Sequence, residues 1–226
     1  MSVIIHTPPP QALTEAETER WRAVPVAVAV DLGHDAGQID PAIRPLRPAG
    51  SQPKLFGRAV TVRCDAPDFG AVLHALDVIK AGQVLVIDAG GHRDTAMIGD
   101  ILSGHLRAKG VAGLICDGAV RDTGTLACWD DFSVFARWMT PRGPTGADRG
   151  AVNLPVVVGG CLVSPGDLLI GDDDGLVALT PATIRHRIGD AEAKLSRETG
   201  WISALAAGRS ACEVFGLSAP VHFADH

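Results

Sequence analysis

Two short polar segments in the middle of the chain combine the residue types that bind an anion together with a divalent cation. The first is Gly99-Asp100, which opens a stretch with helical spacing, and the second is Arg121-Asp122, at the end of the segment DGAVRD. A helix N-terminus presents unpaired N–H groups to a carboxylate or phosphate. Arg121 adds a fixed positive charge with several donors, and Asp122 supplies a hard oxygen ligand suited to Mg²⁺ or Mn²⁺.

Both segments follow predicted strands of one βαβ unit, so we expect them at the same edge of a sheet. Val84–Ile87 and Leu114–Cys116 are apolar runs typical of buried parallel strands. Between them Ile98, Leu102 and Leu106 recur every four residues, which predicts a crossover helix. Because ligands of open α/β sheets bind beyond the carboxyl ends of the strands, the pattern predicts a small anionic molecule held with a divalent ion.

The same residues also have purely structural interpretations, which the residue pattern leaves open. Asp100 in a first helical turn often serves only as a partner of the helix dipole. A neighbouring Arg-Asp pair is often a surface ion pair, and Gly90-Gly91 after the first strand is consistent with a simple turn. His92, beside that turn, is a candidate to meet a leaving group, whereas His74 lies inside a predicted helix and is more typical of a structural residue.

The rest of the chain predicts strands and helices that surround this unit. The other predicted strands are Val26–Val30, Val60–Val62, Val156–Val158, Leu168–Ile170 and Leu176–Leu179, of which the last two form a hairpin. The predicted helices are a short acidic one capped by Thr14 and ending near Trp21, one over Ala71–Lys80 with Gly82 as its C-cap, and a long one after Thr180. Residues 33–55 form a long irregular connection.

The length and composition predict one folded domain that covers residues 1–226. Hydrophobic residues make up 46% of the chain and charged residues 20%, which is typical of a folded protein. Residues 1–12 are expected to be frayed, because Pro8-Pro9-Pro10 cannot begin a helix interior or a central strand. Residues 181–226 form a C-terminal helix and tail, whose apolar stripe indicates either a subunit contact or packing on the sheet.

Charge and cysteine content exclude several classes of protein. The net charge of −6 and the absence of Tyr argue against nucleic-acid binding, which needs a basic face or stacking residues. No apolar stretch approaches the roughly 20 residues that a membrane span requires. The five cysteines are odd in number and lack CxxC spacing, which indicates free, mostly buried thiols in a cytoplasmic protein.

Three stretches of the chain resemble the family of the regulator of ribonuclease activity A, which includes the 4-hydroxy-4-methyl-2-oxoglutarate aldolases. They are AGQVLVIDAGG, IGDILSGHLRAKGVAGLICDGAVRD and SPGDLLIGDDDGLVAL, and the resemblance runs from about Gly57 to Thr180. It implies an α/β fold of the swivelling β/β/α type with a βαβ unit and a C-terminal helix. It also implies assembly as a homotrimer or homohexamer.

The resemblance further implies an activity and a role for each site residue. The activity is a class II cleavage of a 4-hydroxy-2-oxo acid to pyruvate, with oxaloacetate decarboxylation as a side activity. Arg121 would bind the keto oxygen and Asp122 would hold Mg²⁺ or Mn²⁺. The chemistry of the reaction, rather than the resemblance, makes Asp100 a candidate to orient a metal-bound water as the base. The substrate carboxylate would be bound by the backbone amides of Gly99, Asp100, Ile101 and Leu102.

Two other functions remain open at this point, a non-catalytic ribonuclease-inhibiting regulator and a decarboxylase for another oxo acid. Asp122 favours an enzyme, because regulator-type members can lack the acid after the Arg. The chain departs from the aldolases at Arg209, where they carry an acid, and neither Glu198 nor Glu213 has an assigned role. The departure at Ala81-Gly82-Gln83, in place of Pro-Gly-Asp, is a second difference.

Overall fold

A mixed β-sheet forms the centre of the fold, in a computed structural model that describes residues 2–8, 10, 13–33 and 37–221. The strands are β1 (Ile4–Ile5), β2 (Arg44–Pro45), β3 (Leu55–Arg63), β4 (Gln83–Ile98), β5 (Gly113–Val120), β6 (Ser133–Met139), β7 (Ala151–Val152), β8 (Val156–Val158), β9 (Cys161–Val163), β10 (Leu168–Asp172) and β11 (Gly175–Leu179). The helices are α1 (Glu15–Glu19), α2 (Val26–Gly33), α3 (Gly70–Val78), α4 (Asp100–Ala108), α5 (Thr123–Leu126), α6 (Pro181–Ala206) and α7 (Ala211–Phe215), and a 3₁₀ turn covers Arg20–Ala23.

The middle of the sheet is parallel and brings the carboxyl ends of its strands together. β3, β4, β5 and β6 lie side by side in that order, each parallel to its neighbour. β10 pairs antiparallel with β3 on one side and with β11 on the other, and β8 and β9 form a separate hairpin. The predicted βαβ unit, the β10–β11 hairpin and the α/β class are confirmed.

Three apolar clusters surround the sheet and explain why its central strands are apolar on both faces. The first lies between the sheet and the helices α3 and α4, around Val72, Leu85 and Leu106. The second lies on the opposite face beneath the β8–β9 hairpin. The third joins β10 and β11 to α2 and α6, with Trp21 and Ile184 fully buried in it. The Trp21 indole N–H donates to the Ile184 carbonyl, 3.1 Å away.

The helix ends that the sequence predicts are largely confirmed. Thr14 and Glu17 form a capping box at the start of α1. Thr180 Oγ1 accepts the N–H of Thr183 at 3.2 Å, and Pro181 occupies the first position of α6. The prediction for α3 was wrong at its end, because the helix stops at Val78 with an extended cap and Gly82 lies in the following turn.

The prediction of a strand over Val26–Val30 was wrong, since these residues form most of α2. A short buried apolar run fits either a strand or a helix, and periodicity alone does not separate them. In this protein, contacts with neighbouring elements favour the helix over the strand. The Val26 N–H donates to Asp172 Oδ2 at 2.9 Å, and the Pro25 carbonyl accepts the Ala29 N–H at 3.1 Å. The resulting helix packs its apolar side against α6 and the β10–β11 hairpin.

Strand β4 continues far beyond the predicted end at Ile87. It reaches Ile98 and stays paired with β5 through several register shifts. The segment Asp88–Arg93 is therefore a bulged strand rather than the predicted loop, and Gly90 and Gly91 take positive φ values of 60° and 72° where it bends. Strands β6 and β9 were not predicted from the sequence.

Two further segments differ from the sequence prediction in part. Ile4–Ile5 pairs in parallel with β7, so this piece of the segment expected to be frayed is a strand, while positions 1, 9, 11 and 12 lie outside the described residues. Within the predicted connection 33–55, Arg44–Pro45 pairs with β6, and positions 34–36 are not described. That residues 1–226 form one domain stays a prediction.

Candidate active site

The six residues predicted for the site line a single pocket of about 210 Å³ where β4 and β5 end. Four come from the start of α4 and two from the turn after β5: Gly99, Asp100, Ile101, Leu102, Arg121 and Asp122. The opposite wall is apolar and includes Phe69, Leu73, Met97 and Pro144. The structure thus brings together every residue that the sequence proposed for substrate and metal.

Asp122 is held against the first turn of α4 in a conformation that few residues adopt. Its φ of 56° and ψ of 34° are left-handed, a region in which Asp is enriched and which often marks a functional position. Its Oδ2 accepts the N–H of Asp100 at 3.2 Å and lies 3.4 Å from Arg121 Nε. The carboxylate therefore links the helix start to the arginine while more than a third of its side chain stays exposed.

Gly99 is required by close packing. A Cβ at this position would lie 2.3 Å from Asp122 Oδ2 and 2.9 Å from Arg121 Cγ. Its φ of −141° is ordinary extended backbone, so space and not conformation excludes a larger residue. The absent side chain lets the arginine and the carboxylate approach the N-terminus of α4.

The first turn of α4 leaves two N–H groups for a ligand. The Asp100 N–H donates to Asp122 and the Ser103 N–H donates to the Gly99 carbonyl, 3.1 Å away. The amides of Ile101 and Leu102 have no acceptor in the described part of the chain. This reduces the four amides predicted for the substrate carboxylate to those of Gly99, Ile101 and Leu102, because the Asp100 amide is already engaged.

Arg121 is positioned by its backbone and by a neighbouring loop. Its N–H donates to the Ile98 carbonyl at 3.1 Å, which ties the end of β5 to the end of β4. A Cβ on Gly143 would lie 2.7 Å from Arg121 Nη1, so the loop after β6 passes directly beside the guanidinium. The side chain is about 39% exposed, which leaves it accessible to a substrate oxygen.

A partly buried ion-pair network centred on Arg137 joins β5 and β6 to Asp40. Arg137 Nε donates to Asp117 Oδ1 at 2.5 Å, and Arg137 Nη1 donates to Asp40 Oδ2 at 2.8 Å. Asp117 Oδ2 also accepts the N–H of Gly159 at 2.6 Å, which joins β5 to the β8–β9 turn. The N–H of Ala42 and the Arg137 guanidinium lower the pKa of the Asp40 carboxyl.

The histidine candidates lie elsewhere. One ring nitrogen of His92 is 2.9 Å from Thr95 Oγ1, and His92 does not line the pocket. His74 is exposed on α3.

Burial raises the pKa of the Cys64 thiol to about 12 and raises that of Cys116 well above its usual value, as expected for inert core thiols.

The C-terminal residues without an assigned role are explained only in part. Glu213 closes a capping box with Ser210 at the start of α7. Glu198 lies 3.6 Å from Lys194 in an ion pair along α6. Arg209 is exposed, and none of these side chains reaches the pocket in one copy of the chain.

A family model described as RraA-like, Aldolase/RraA, matches residues 16–178. The chain belongs to the RraA-like family. A Halalkalibacterium halodurans protein with the provisional name 4-hydroxy-4-methyl-2-oxoglutarate aldolase is 31% identical over 170 residues, which cover 74% of this chain and 79% of that protein. The family therefore includes both aldolases and RraA proteins.

Solved structures carry the same fold as this RraA-like chain. An uncharacterised protein from Pseudomonas syringae pv. tomato matches with a TM-score of 0.77 and 23% identity, over 93% of this chain and 100% of that one. The RNA-processing inhibitor RraA from Thermus thermophilus is 32% identical with a TM-score of 0.61, over 69% and 92% of the two chains. The mixed sheet with a C-terminal helix is therefore an RraA-like fold.

The donor set of this RraA-like site suits an ion that keeps most of its water. Among the residues described, no three His, Cys, Asp or Glu side chains are grouped to hold a metal. Mg²⁺ commonly takes one or two carboxylates and completes its octahedron with water and substrate oxygens. Asp122 offers one partly exposed carboxylate at the mouth of the pocket, so its chemistry fits Mg²⁺ or Mn²⁺.

Sequence reasoning missed the residues that shape the walls of the pocket. Leu73 belongs to the apolar pattern of α3, and Phe69 precedes that helix, but nothing in the pattern distinguishes a pocket wall from the core. Gly143 and Pro144 lie after β6, a strand that was not predicted, so their proximity to Arg121 had no sequence signal.

No helix in the described ranges has the length and apolar character to cross a membrane.

Proposed function

We propose that this chain is a divalent-metal-dependent aldolase that cleaves a 4-hydroxy-2-oxo acid, such as 4-hydroxy-4-methyl-2-oxoglutarate, to pyruvate. Decarboxylation of oxaloacetate is the expected side activity, because it proceeds through the same pyruvate enolate. The observation that carries the proposal is the placement of Arg121 and Asp122 against the free amides of α4. The curated relative with the aldolase name supports it.

Each group of the pocket has a role in this reaction. The N–H groups of Ile101 and Leu102 bind the substrate carboxylate, as a helix N-terminus favours. When the C3–C4 bond breaks, its electron pair moves into the 2-oxo group and negative charge develops on the keto oxygen. Arg121 stabilises this charge where it forms. Asp122 would hold Mg²⁺ or Mn²⁺, which would supply Lewis-acid polarisation of the 2-oxo group. Asp100 orients the water that takes the proton of the 4-hydroxyl group, and return of a proton to C3 of the enolate then completes pyruvate.

A Schiff-base route finds no support in this arrangement. The Lys109 ammonium, at the far end of α4, donates a hydrogen bond to the Leu76 carbonyl. Lys80 lies in the turn before β4, and neither lysine lines the pocket. A Schiff base forms only when a lysine amine reaches the keto carbon. Because neither of these lysines lines the pocket, the negative charge of the enolate must be stabilised on the keto oxygen itself.

A binding function without catalysis is the second candidate, because the 32% identical structure is that of an RNA-processing inhibitor. Under this alternative the surface of the protein would contact a ribonuclease and Asp122 would serve no reaction. Failure to turn over any 2-oxo acid, together with specific inhibition of a purified ribonuclease, would establish it. A decarboxylase for another oxo acid would instead show activity in the same substrate panel.

We expect turnover to depend on a divalent ion. Pyruvate release from a panel of 2-oxo acids, coupled to lactate dehydrogenase, should vanish after treatment with EDTA and return with Mg²⁺ or Mn²⁺. EDTA that has first been saturated with Mg²⁺ serves as the matched control and should leave the rate unchanged. Full activity after exhaustive chelation would contradict the metal-dependent mechanism.

We propose that the protein assembles as a homotrimer or homohexamer. The buried residues of α6 end at Ala191, and the second half of the helix leaves the body of the chain with Ile202 68% exposed. Trp201 packs edge to face against Phe215 of α7 with ring centroids 5.1 Å apart, while Leu217 stays exposed. Burial of such a surface in a subunit contact would stabilise it.

Light scattering at micromolar concentration should give three or six times the chain mass of 23.5 kDa. We expect this mass because the exposed apolar residues at the end of α6 and on α7 would be buried against another subunit. A mass near 23.5 kDa under these conditions would contradict the assembly. Replacement of Ile202 by Glu, which introduces a charge on this surface, should lower the measured mass without lowering the helix content.

A further inference from the structure

The connection between β6 and β7, residues 140–150, reaches the active-site pocket at two points. Pro144 forms part of the apolar wall, and a Cβ on Gly143 would lie 2.7 Å from Arg121 Nη1. The backbone of this β6–β7 loop therefore packs directly against the guanidinium. Because a proline fixes its own φ near −65° and restricts the residue before it, the corner Gly143-Pro144 is stiff. The contacts that hold the rest of the loop thus determine where this corner lies beside Arg121.

Asp68 holds the second half of the β6–β7 loop with its carboxylate, although it belongs to the segment before α3. Its side chain is only 1% exposed. Oδ1 accepts the N–H of Arg149 at 3.1 Å, and Oδ2 accepts the N–H of Asp148 at 3.2 Å. Oδ1 also accepts the N–H of Gly70, the first residue of α3, at 2.8 Å. One carboxylate therefore joins the loop to the start of the helix.

The bonds of Asp68 depend on its negative charge. Burial opposes ionisation of the side chain, but the three backbone N–H groups outweigh this effect and lower the pKa of its carboxyl. The carboxylate is therefore charged at neutral pH, and Arg149 Nε lies 3.7 Å from its Oδ2. Charge-assisted hydrogen bonds are stronger than neutral ones. A neutral amide in place of the carboxylate would leave at least one of the three donors without its acceptor.

Two glycines allow the loop and the helix to approach this closely. A Cβ on Gly146 would lie 2.3 Å from Asp68 Oδ2, and a Cβ on Gly70 would lie 2.5 Å from the carbonyl carbon of Ala147. The Gly146 carbonyl also accepts the N–H of Phe69 at 3.0 Å. Phe69 itself lines the pocket, so the same contact between loop and helix holds a second residue of the apolar wall.

We propose that Asp68 is a positioning residue, which holds the β6–β7 loop on α3 and thereby fixes the place of the Arg121 guanidinium beside the corner Gly143-Pro144. The inference rests on the proposed function for the role of Arg121 at the enolate oxygen. Gly146, at the Asp68 contact, is only three positions from Gly143, so a shift of the loop there reaches the corner. Among the described residues that line the pocket Asp68 is absent, and it acts through the loop.

Binding of oxalate to Asp68→Asn tests the inference without turnover, because oxalate is a planar dianion with the shape and charge of the pyruvate enolate. Asparagine offers one acceptor oxygen, so an N–H of the loop loses its partner in either orientation of the amide. With Mg²⁺ present, calorimetry on the full chain should show about a 10-fold loss of oxalate affinity, the scale of one charge-assisted hydrogen bond. The affinity for pyruvate, whose keto oxygen is uncharged, should fall less than about threefold.

A double-mutant cycle separates the positioning of Arg121 from a general loss of structure. In the Arg121→Lys background, Asp68→Asn should lower the oxalate affinity by less than about twofold further, because changes that act through one contact are not additive. A merely structural defect would weaken binding equally in both backgrounds. Asp167→Asn is the matched control, since Asp167 is also buried and accepts the N–H of Ser164 at 2.8 Å but lies outside the pocket. It should leave the oxalate affinity unchanged.

Gly146→Ala is a second variant, which keeps the charge of Asp68. Its methyl group would displace the carboxylate from the loop, so it should reproduce the loss of oxalate affinity and its dependence on Arg121. The inference is overturned if the wild type does not bind oxalate, if a folded variant binds it as tightly as the wild type, or if the full loss persists in the Arg121→Lys background. A loss that depends on Arg121, in a protein that cleaves no oxo acid, would uphold the role of Asp68 while refuting the aldolase function.

Discussion

Arg121→Lys should lower kcat by about 100-fold or more, the scale on which loss of one oxyanion donor acts. Lysine keeps the positive charge but loses the planar group of donors that faces the pocket beside Gly143. Its single ammonium cannot contact both Asp122 and a developing enolate oxygen in the same geometry. The affinity for Mn²⁺, measured by electron paramagnetic resonance without substrate, should change little, because Arg121 is not a metal ligand.

The control for this variant is Arg44→Lys, the same substitution at an exposed position on β2. It should leave kcat unchanged. Thermal unfolding should give similar midpoints for both variants and the wild type, since Arg121 is more than a third exposed and leaves no cavity when replaced. A kcat for Arg121→Lys within threefold of the wild type would refute the role of the guanidinium in stabilising the enolate.

The sequence predicts the elements whose signals are local. Thr14 is the predicted cap of α1 and forms a capping box with Glu17 in the structure, and Thr180-Pro181 marks the start of α6 equally well. Such contacts lie within one turn, so three or four residues determine them. The βαβ unit around Gly99 follows from the same local patterns and from the preference of parallel strands for a crossover helix.

The failures arise where distant contacts decide the local structure. Val26–Val30 becomes helical because α6 and the β10–β11 hairpin, more than 130 residues later in the chain, provide the surface that buries it. β4 continues past Gly90-Gly91 because β5 lies alongside and pairs through each bulge. A pattern taken from one segment contains no information about the segment that pairs with it.

The candidate site shows the same division between local and distant causes. Gly99 and Asp100 are neighbours, as are Arg121 and Asp122, and the βαβ topology is sufficient to predict that the two pairs meet. Their detailed arrangement was beyond prediction, because the left-handed backbone of Asp122 aims its carboxylate at the Asp100 amide. The same arrangement engages the Asp100 amide, so this amide is not available to a substrate carboxylate, which no spacing in the sequence reveals.

Replacement of Asp122 by Asn should separate metal binding from the local structure. Asparagine retains an oxygen that can accept the Asp100 N–H, so the start of α4 should stay intact. It removes the one carboxylate assigned to the ion, and the affinity for Mn²⁺ should fall about 100-fold or more, at least the scale seen when groups supporting a metal ligand are lost. Activity should vanish at low Mn²⁺ and recover in part when the ion is in excess.

The matched control is Asp130→Asn, which removes the same charge from an exposed position outside the pocket. Titration of Mn²⁺ by electron paramagnetic resonance, alongside turnover at each concentration, measures both consequences in one series. Asp122→Asn and Arg121→Lys should therefore give opposite patterns, the first losing the ion and the second losing rate with the ion bound. Because the two side chains lie 3.4 Å apart, a general disturbance of the pocket would change both quantities in both variants. Wild-type Mn²⁺ affinity in Asp122→Asn would refute the assignment of Asp122 as the metal ligand.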